Sequence, residues 1–179
     1  MRGYPIVLTG LERSRCIVIG GGAVAARKVQ ALIDAGARPI VISPQLVPEL
    51  EEMAALGRVE AIRRAYRPGD LANATLVIAA TDDHAVNAAA SAEAERCGAL
   101  VNVVDDPELC TFHVPAVVRR GEVVVTASTG GGSPALARHL REVLETTIDP
   151  AYSDLLTILT ELRPRVRSEF AQAKQALVW

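Results

Sequence analysis

Three groups of residues in this chain have types and spacings that suit chemistry. The first is Gly20-x-Gly22-x-x-Ala25, which follows the apolar run CIVI and opens a helical pattern. In that setting one glycine makes a tight turn and the next lets the backbone approach a pyrophosphate. The small third residue permits close helix–sheet packing, and the helix N-terminus offers N–H groups to the phosphates. The expected ligand is a dinucleotide, because the pattern lies between a strand and a helix inside a βαβ unit. A dinucleotide fold usually ends its second strand on Asp or Glu, which binds the adenosine ribose. This chain has Val41-Ile42-Ser43-Pro44 there. A serine can bond to a ribose without repelling a 2′-phosphate, so charge alone does not choose between NAD and NADP.

The second group lies on strand ends. Ala79-Ala80-Thr81-Asp82 closes one apolar run and Asn102-Val103-Val104-Asp105-Asp106 closes the next. Open α/β sheets bind ligands at such ends. A carboxylate at Asp105 can face the nicotinamide end of a dinucleotide and accept a proton, although Asp-Asp-Pro is also ordinary turn composition. Asp82 suits either a site or a helix start. The third group is Gly130-Gly131-Gly132-Ser133-Pro134, a second strand–glycine–helix junction with Ser133 as N-cap and Pro134 at the first helical position. With Arg119-Arg120 before it and Arg138 and Arg141 after it, the loop suits either a polycarboxylate or a surface cap with solvated arginines.

The elements that must position these groups alternate. Strands are expected at 15–19, 38–43, 59–63, 75–80 and 99–104, with helices at 23–35, 46–56 and 83–97 closed by Gly36, Gly57 and Gly98. The run TLVIAA is of the kind buried in a parallel sheet, so the fold class is α/β, a Rossmann-like sheet covered on both faces. After Asp105 the pattern changes. Residues 119–122 read as a turn before a strand at 123–127, a helix follows at 135–146, and a helical stretch runs over 152–177 with Pro164 interrupting or kinking it. The expected organisation is a nucleotide domain over 1–113, a dimerisation and substrate segment over 114–148 and a helical region over 149–179.

Composition narrows the function classes. A net charge of −2 argues against non-specific nucleic-acid binding. No apolar run approaches roughly 18 residues, so no membrane span is expected, and the N-terminus lacks a secretory pattern. Three scattered cysteines and three scattered histidines suggest neither a disulfide framework nor a metal cage. His113, near the Asp105 loop, stands out among the histidines. The expected setting is cytoplasmic.

The segments IVIGGGAVAARKVQALIDAGA, LVIAATDDHAVN, VNVVDDPELCTFHVPAVVRRGEVVVTASTGGGSPALARHLRE and LRPRVRSEF together resemble the precorrin-2 dehydrogenase family. That family also supplies the N-terminal part of multifunctional siroheme synthases, and the resemblance runs from Tyr4-Pro5 to about Phe170. It implies NAD-dependent oxidation of precorrin-2 to sirohydrochlorin by a homodimer, with Asp105 as the essential residue. Some members also insert iron into the product. Nucleotide contacts are implied at Gly20, Gly22, Ala23 and Val24, at Ser43 and Pro44, and at Ala80, Thr81, Asn102 and Val103. The acidic side chains of the substrate imply counter-groups at Arg120, Gly130, Gly131, Gly132, Ser133 and Arg138, with no metal site. Thr129 stands where some relatives carry serine, and the chain shows no methyltransferase segment, so the preceding methylation is expected of another protein. The competing functions are a non-catalytic NAD-sensing domain and a chelatase alone.

Overall fold

The computed structural model describes residues 3–169 and divides the chain into two compact units, the second beginning at Val114. In the first unit, strands β1 (Cys16–Ile19), β2 (Ile40–Ile42), β3 (Glu60–Ile62), β4 (Leu76–Ala79) and β5 (Leu100–Val103) form one parallel sheet in the order β3-β2-β1-β4-β5. The strands are short and almost wholly apolar because both faces are covered. Cys16, Val18, Val41, Leu76 and Ile78 pack with helices α1 (Ala23–Asp34) and α2 (Pro48–Ala55). Ile17, Ile19, Ile42, Val77 and Val101 point the other way, against helix α3 (His84–Arg96). This alternation fixes the register, since a slip of one residue would exchange the two cores.

The connection from β3 to β4 contains no helix. Its residues are fastened by Glu93 of α3, a buried carboxylate that accepts from the Tyr66 hydroxyl (2.5 Å) and from the N–H groups of Gly69 (3.0 Å) and Leu71 (2.8 Å). Burial alone would push the Glu93 carboxyl up, but these donors outweigh it and hold the group below the ordinary glutamate range. The stability it contributes is therefore complete above the unfolded-state value and is lost as pH falls toward the folded-state one. Glu93→Gln should cost about 2–3 kcal/mol at pH 7, the weight of hydrogen bonds to a buried charge. The Asp70 carboxyl, held low by Arg64, adds its own acid sensitivity. The measurement is thus the gap between wild type and variant in urea midpoint, which should narrow from pH 7 to pH 4.

In the second unit, β6 (Ala116–Arg120) and β7 (Val123–Ala127) form an antiparallel hairpin in which Arg120 pairs with Val123 across a two-residue loop. Arg119 and Arg120 thus end a strand, where a turn over 119–122 was expected; only Gly121 and Glu122 turn. Helix α4 (Pro134–Thr147) packs on β6, and α5 (Ala151–Glu169) follows. Pro164 does not interrupt α5, which continues through it to Glu169. The expected continuation to Leu177, with Lys174, lies outside the described residues, as does Phe170.

Candidate functional site

The parallel register brings four strand ends to one rim. Ile19 pairs with Ile42 and with Ala79, and Ala79 with Val103. Gly20, Ser43, Ala80 and Val104 therefore leave the sheet at the same level. The strand order reverses between β1 and β4, and such a switch point opens the crevice where open α/β sheets bind ligands.

Each glycine of the first loop has its own constraint. Gly20 has φ 119°, and a Cβ there would collide with the Ala80 carbonyl. Gly21 is wedged beneath the loop after β2, where a Cβ would strike the Gln45 carbonyl and come within 2.6 Å of Ser43 Oγ. Its carbonyl accepts from Val47 N–H (2.9 Å). Gly22 is different, for a Cβ would meet nothing within 4 Å. Gly22 is also the N-cap of α1 and supplies no side-chain acceptor, so the first N–H groups of the helix, Ala23 and Val24 included, lack a capping partner. Ala25 is fully buried against the sheet. Beside this loop lies an open cavity of about 350 Å³ lined by Gly21, Gly22 and residues 43–47. Uncapped donors and clear space above Gly22 fit a pyrophosphate, so the residues present suit a dinucleotide. The fingerprint alone gave Gly21 no role. Its only signal was being a third glycine in a row.

The remaining rim residues divide between scaffold and open site. Ser43 is buried and its hydroxyl donates to the Gln45 carbonyl (2.7 Å), which closes the loop that carries Pro44. The Thr81 hydroxyl donates to Asn87 Oδ1 (2.8 Å), and the N-cap of α3 is Asp83, not Asp82. Asn102 turns its amide inward to the Phe112 carbonyl (3.1 Å), and Val103 N–H donates to Cys110 Sγ (3.1 Å). These contacts tie residues 110–112 back to β5, so the amide of Asn102 and the thiol of Cys110 act as braces beneath the rim. Among the described residues no group of His, Cys, Asp and Glu could hold a metal ion.

Asp105 stands just beyond β5 with φ 60°, one of two non-glycine residues in the left-handed region among those described. Its carboxylate is exposed and makes no ion pair or hydrogen bond there, whereas Asp106 faces His84 Nδ1 at 3.4 Å. Lys28 of α1 lies within electrostatic reach of Asp105. Burial and the neighbouring Arg27 lower its ammonium from the ordinary lysine range, while Asp105 and Cys110 pull it back up. The spacing gave no sign of this lysine, because only the folded sheet brings α1 beside the end of β5.

In the second unit Ser133 Oγ accepts from Leu136 N–H (3.2 Å), and Gly132 N–H bonds to the Thr129 carbonyl (3.0 Å). Gly130 and Gly131 are exposed, as is Arg138, whose guanidinium makes no side-chain bond among the described residues. Arg120 is elsewhere. Its guanidinium donates to the carbonyls of Ile148 (3.0 Å), Glu145 (2.8 Å) and Arg119 (3.0 Å), and so braces the C-terminal end of α4. The glycine loop is at the N-terminal end of the same 14-residue helix, about 20 Å away at 1.5 Å per residue. The structure therefore does not bring Arg120 to Gly130–Ser133, and Arg141 is paired with Glu145.

Comparison with known proteins agrees with this geometry. The chain is 44% identical over 179 residues to the siroheme synthase of Methylobacillus flagellatus, and 46% identical over 179 residues to that of Nitrosospira multiformis. It spans 38% of the length of each of these longer relatives. A solved structure titled "SirC, precorrin-2 dehydrogenase" superposes with a TM-score of 0.79 at 26% identity, over 97% of this chain and 86% of that one. A family model described as "Putative NAD(P)-binding" matches residues 7–116, and with the crevice and glycine cradle above it places the chain in that NAD(P)-binding family.

Proposed function

We propose that the protein oxidises precorrin-2 to sirohydrochlorin with NAD as hydride acceptor. The observation that carries the reading is the Asp105 carboxylate, without a hydrogen-bond or ion-pair partner among the described residues, on the rim that also holds the glycine cradle. The longer siroheme synthases and the precorrin-2 dehydrogenase similar to this chain supply the substrate class. When bound, the dinucleotide supplies a two-electron acceptor. Gly22, Ala23 and Val24 present N–H groups to its pyrophosphate, Ser43 and Pro44 border the adenosine ribose, and Ala80, Thr81, Asn102 and Val103 form the floor of the crevice. Loss of a hydride from a ring carbon requires loss of a proton as well, and Asp105 accepts it as general base. In the second unit Gly130, Gly132 and Ser133 spend their N–H groups on Ser128 and Thr129 and so shape the loop, which leaves the Gly131 N–H and the Arg138 guanidinium, without partners among the described residues, to meet substrate carboxylates. Arg120 contributes by holding α4 in place. An NAD-sensing domain without catalysis would need neither Asp105 nor this second loop. Purified protein given precorrin-2 and NAD should develop the sirohydrochlorin spectrum. A folded protein that binds NAD yet produces no such change excludes the dehydrogenase.

A homodimer belongs to the same reading. On α4, Leu136, Leu140 and Val143 are exposed at a spacing that makes one stripe, and on α5 Tyr152, Leu155, Ile158 and Leu162 make another. Neither helix buries a residue, and Val118 is the only buried hydrophobic of the second unit among the described residues. Two such stripes on a unit with so small a core favour burial against a second copy. Light scattering should give twice the mass of one chain, and Ile158→Glu, at a position 53% exposed, should give monomers. Wild-type monomers at micromolar concentration would exclude the dimer.

A further inference from the structure

The adenosine end of the nucleotide crevice carries an unusual pair. The cavity lining at residues 43–47 is Ser-Pro-Gln-Leu-Val, without a charge of either sign. A carboxylate that would repel a 2′-phosphate is missing, and so is a cation that would hold one. The nearest cation in the register is Arg63. Ile42 pairs with Ile62, and Ser43 N–H donates to the Ile62 carbonyl (3.1 Å), so Arg63 leaves β3 beside the residue that borders the ribose. Ser43 and Arg63 share the sheet face that α2 covers. There the Arg63 guanidinium is gripped by Glu51 through two bonds, Nε to Oε1 at 3.3 Å and Nη2 to Oε2 at 2.5 Å. Glu51 lies in the first turn of α2, directly after the lining loop.

The geometry points to Glu51 and Arg63 as the pair that sets the choice at the ribose 2′ position, with Glu51 compensating the cation that the strand register sets beside Ser43. This rests on the nucleotide reading above and deepens it. A planar guanidinium matches a phosphate as well as it matches a carboxylate, so the two compete for the same donors. With Glu51 present, a 2′-phosphate meets a neutral pocket and an occupied arginine. The preference for NAD then follows from the lack of a free cation, without the repelling carboxylate of the usual dinucleotide site.

The test is calorimetric titration of NAD and of NADP into the full chain. Glu51→Gln should tighten NADP about fivefold or more at low salt, the weight of one charge-assisted contact, and leave NAD within about twofold. The gain should shrink as the salt is raised from about 20 to 300 mM, because the arginine is exposed. Adding Arg63→Gln to Glu51→Gln should abolish the gain. NADP affinity that does not move in Glu51→Gln, or a gain that survives in the double variant, overturns the pair's role while leaving the nucleotide site intact. Wild-type protein that binds neither nucleotide overturns both readings.

Discussion

Asp105→Asn should lower the rate of sirohydrochlorin formation by about 10²- to 10⁴-fold, the range that a positioned general base contributes. Two carboxylates follow β5, and their surroundings separate them. Asp106 faces His84, whereas Asp105 is exposed without a hydrogen-bond or ion-pair partner among the described residues. A carboxylate left unpaired on a ligand-binding rim can accept a proton from a substrate carbon. One that is already bonded gives up part of that capacity. Asparagine is the informative replacement because it keeps the shape and tolerates the left-handed backbone that φ 60° imposes. Alanine would add a backbone cost of about 1 kcal/mol and confuse chemistry with stability. The pyrophosphate cradle lies at the other side of the switch point, so NAD affinity by calorimetry should stay within about twofold, as expected for a group that acts in the transition state. Asp106→Asn, which loses only the His84 contact, should retain most of the rate. If Asp105→Asn keeps more than a tenth of wild-type turnover, the proton goes to another group. Lys28, within electrostatic reach of the same carboxylate, is then the first to test.

How much of this was legible in the sequence depends on how each segment is buried. CIVI, IVI, LVIA and LVNV read as strands because both faces of the sheet are covered, which leaves nearly continuous apolar runs. The α1 boundary was equally plain, since Gly20–Gly22 precede it and Gly36 follows it. The strand AVVRR was not, because its hairpin is half-exposed and two arginines beside Gly121 look like turn residues. The role of Arg120 was hidden for a related reason: a cation near a glycine loop in sequence turned out to brace the far end of the helix that follows the loop. Ser43 was readable as the residue that follows the second strand, but no spacing shows that its proton is committed to the Gln45 carbonyl. Nor does spacing show that Arg63 arrives beside it from the next strand. Contacts between segments distant in the chain account for what was missed, and local periodicity accounts for what was found.

The three consecutive glycines should respond to alanine in three different ways, and the differences separate fold from ligand binding. Gly20→Ala puts a side chain on a residue at φ 119° and drives it into the Ala80 carbonyl, with the Ala80 carbonyl carbon only 2.8 Å away. Both obstacles are backbone, so neither can rotate aside, and the expected loss is about 3 kcal/mol or more. Gly21→Ala presses on Gln45 and Ser43, and the Ser43 Cβ would be at 2.9 Å. The Gln45 carbonyl oxygen would be closer still and is backbone too, so the loop that lines the cavity must retreat, which should cost about 3 kcal/mol and weaken nucleotide binding as well. Gly22→Ala meets no atom within 4 Å and has an ordinary extended backbone, so its stability should fall by less than about 1 kcal/mol. Yet the space its methyl group would take is the space through which a pyrophosphate approaches the first turn of α1. NAD affinity should therefore fall at least about tenfold, or 1.4 kcal/mol. Urea midpoints read the first effect and calorimetry the second. A Gly22→Ala protein that is stable and binds NAD as tightly as wild type would show that the glycines only turn the chain. A stable protein with the affinity lost would place the dinucleotide over the first turn of α1, since no contact within the protein would have changed.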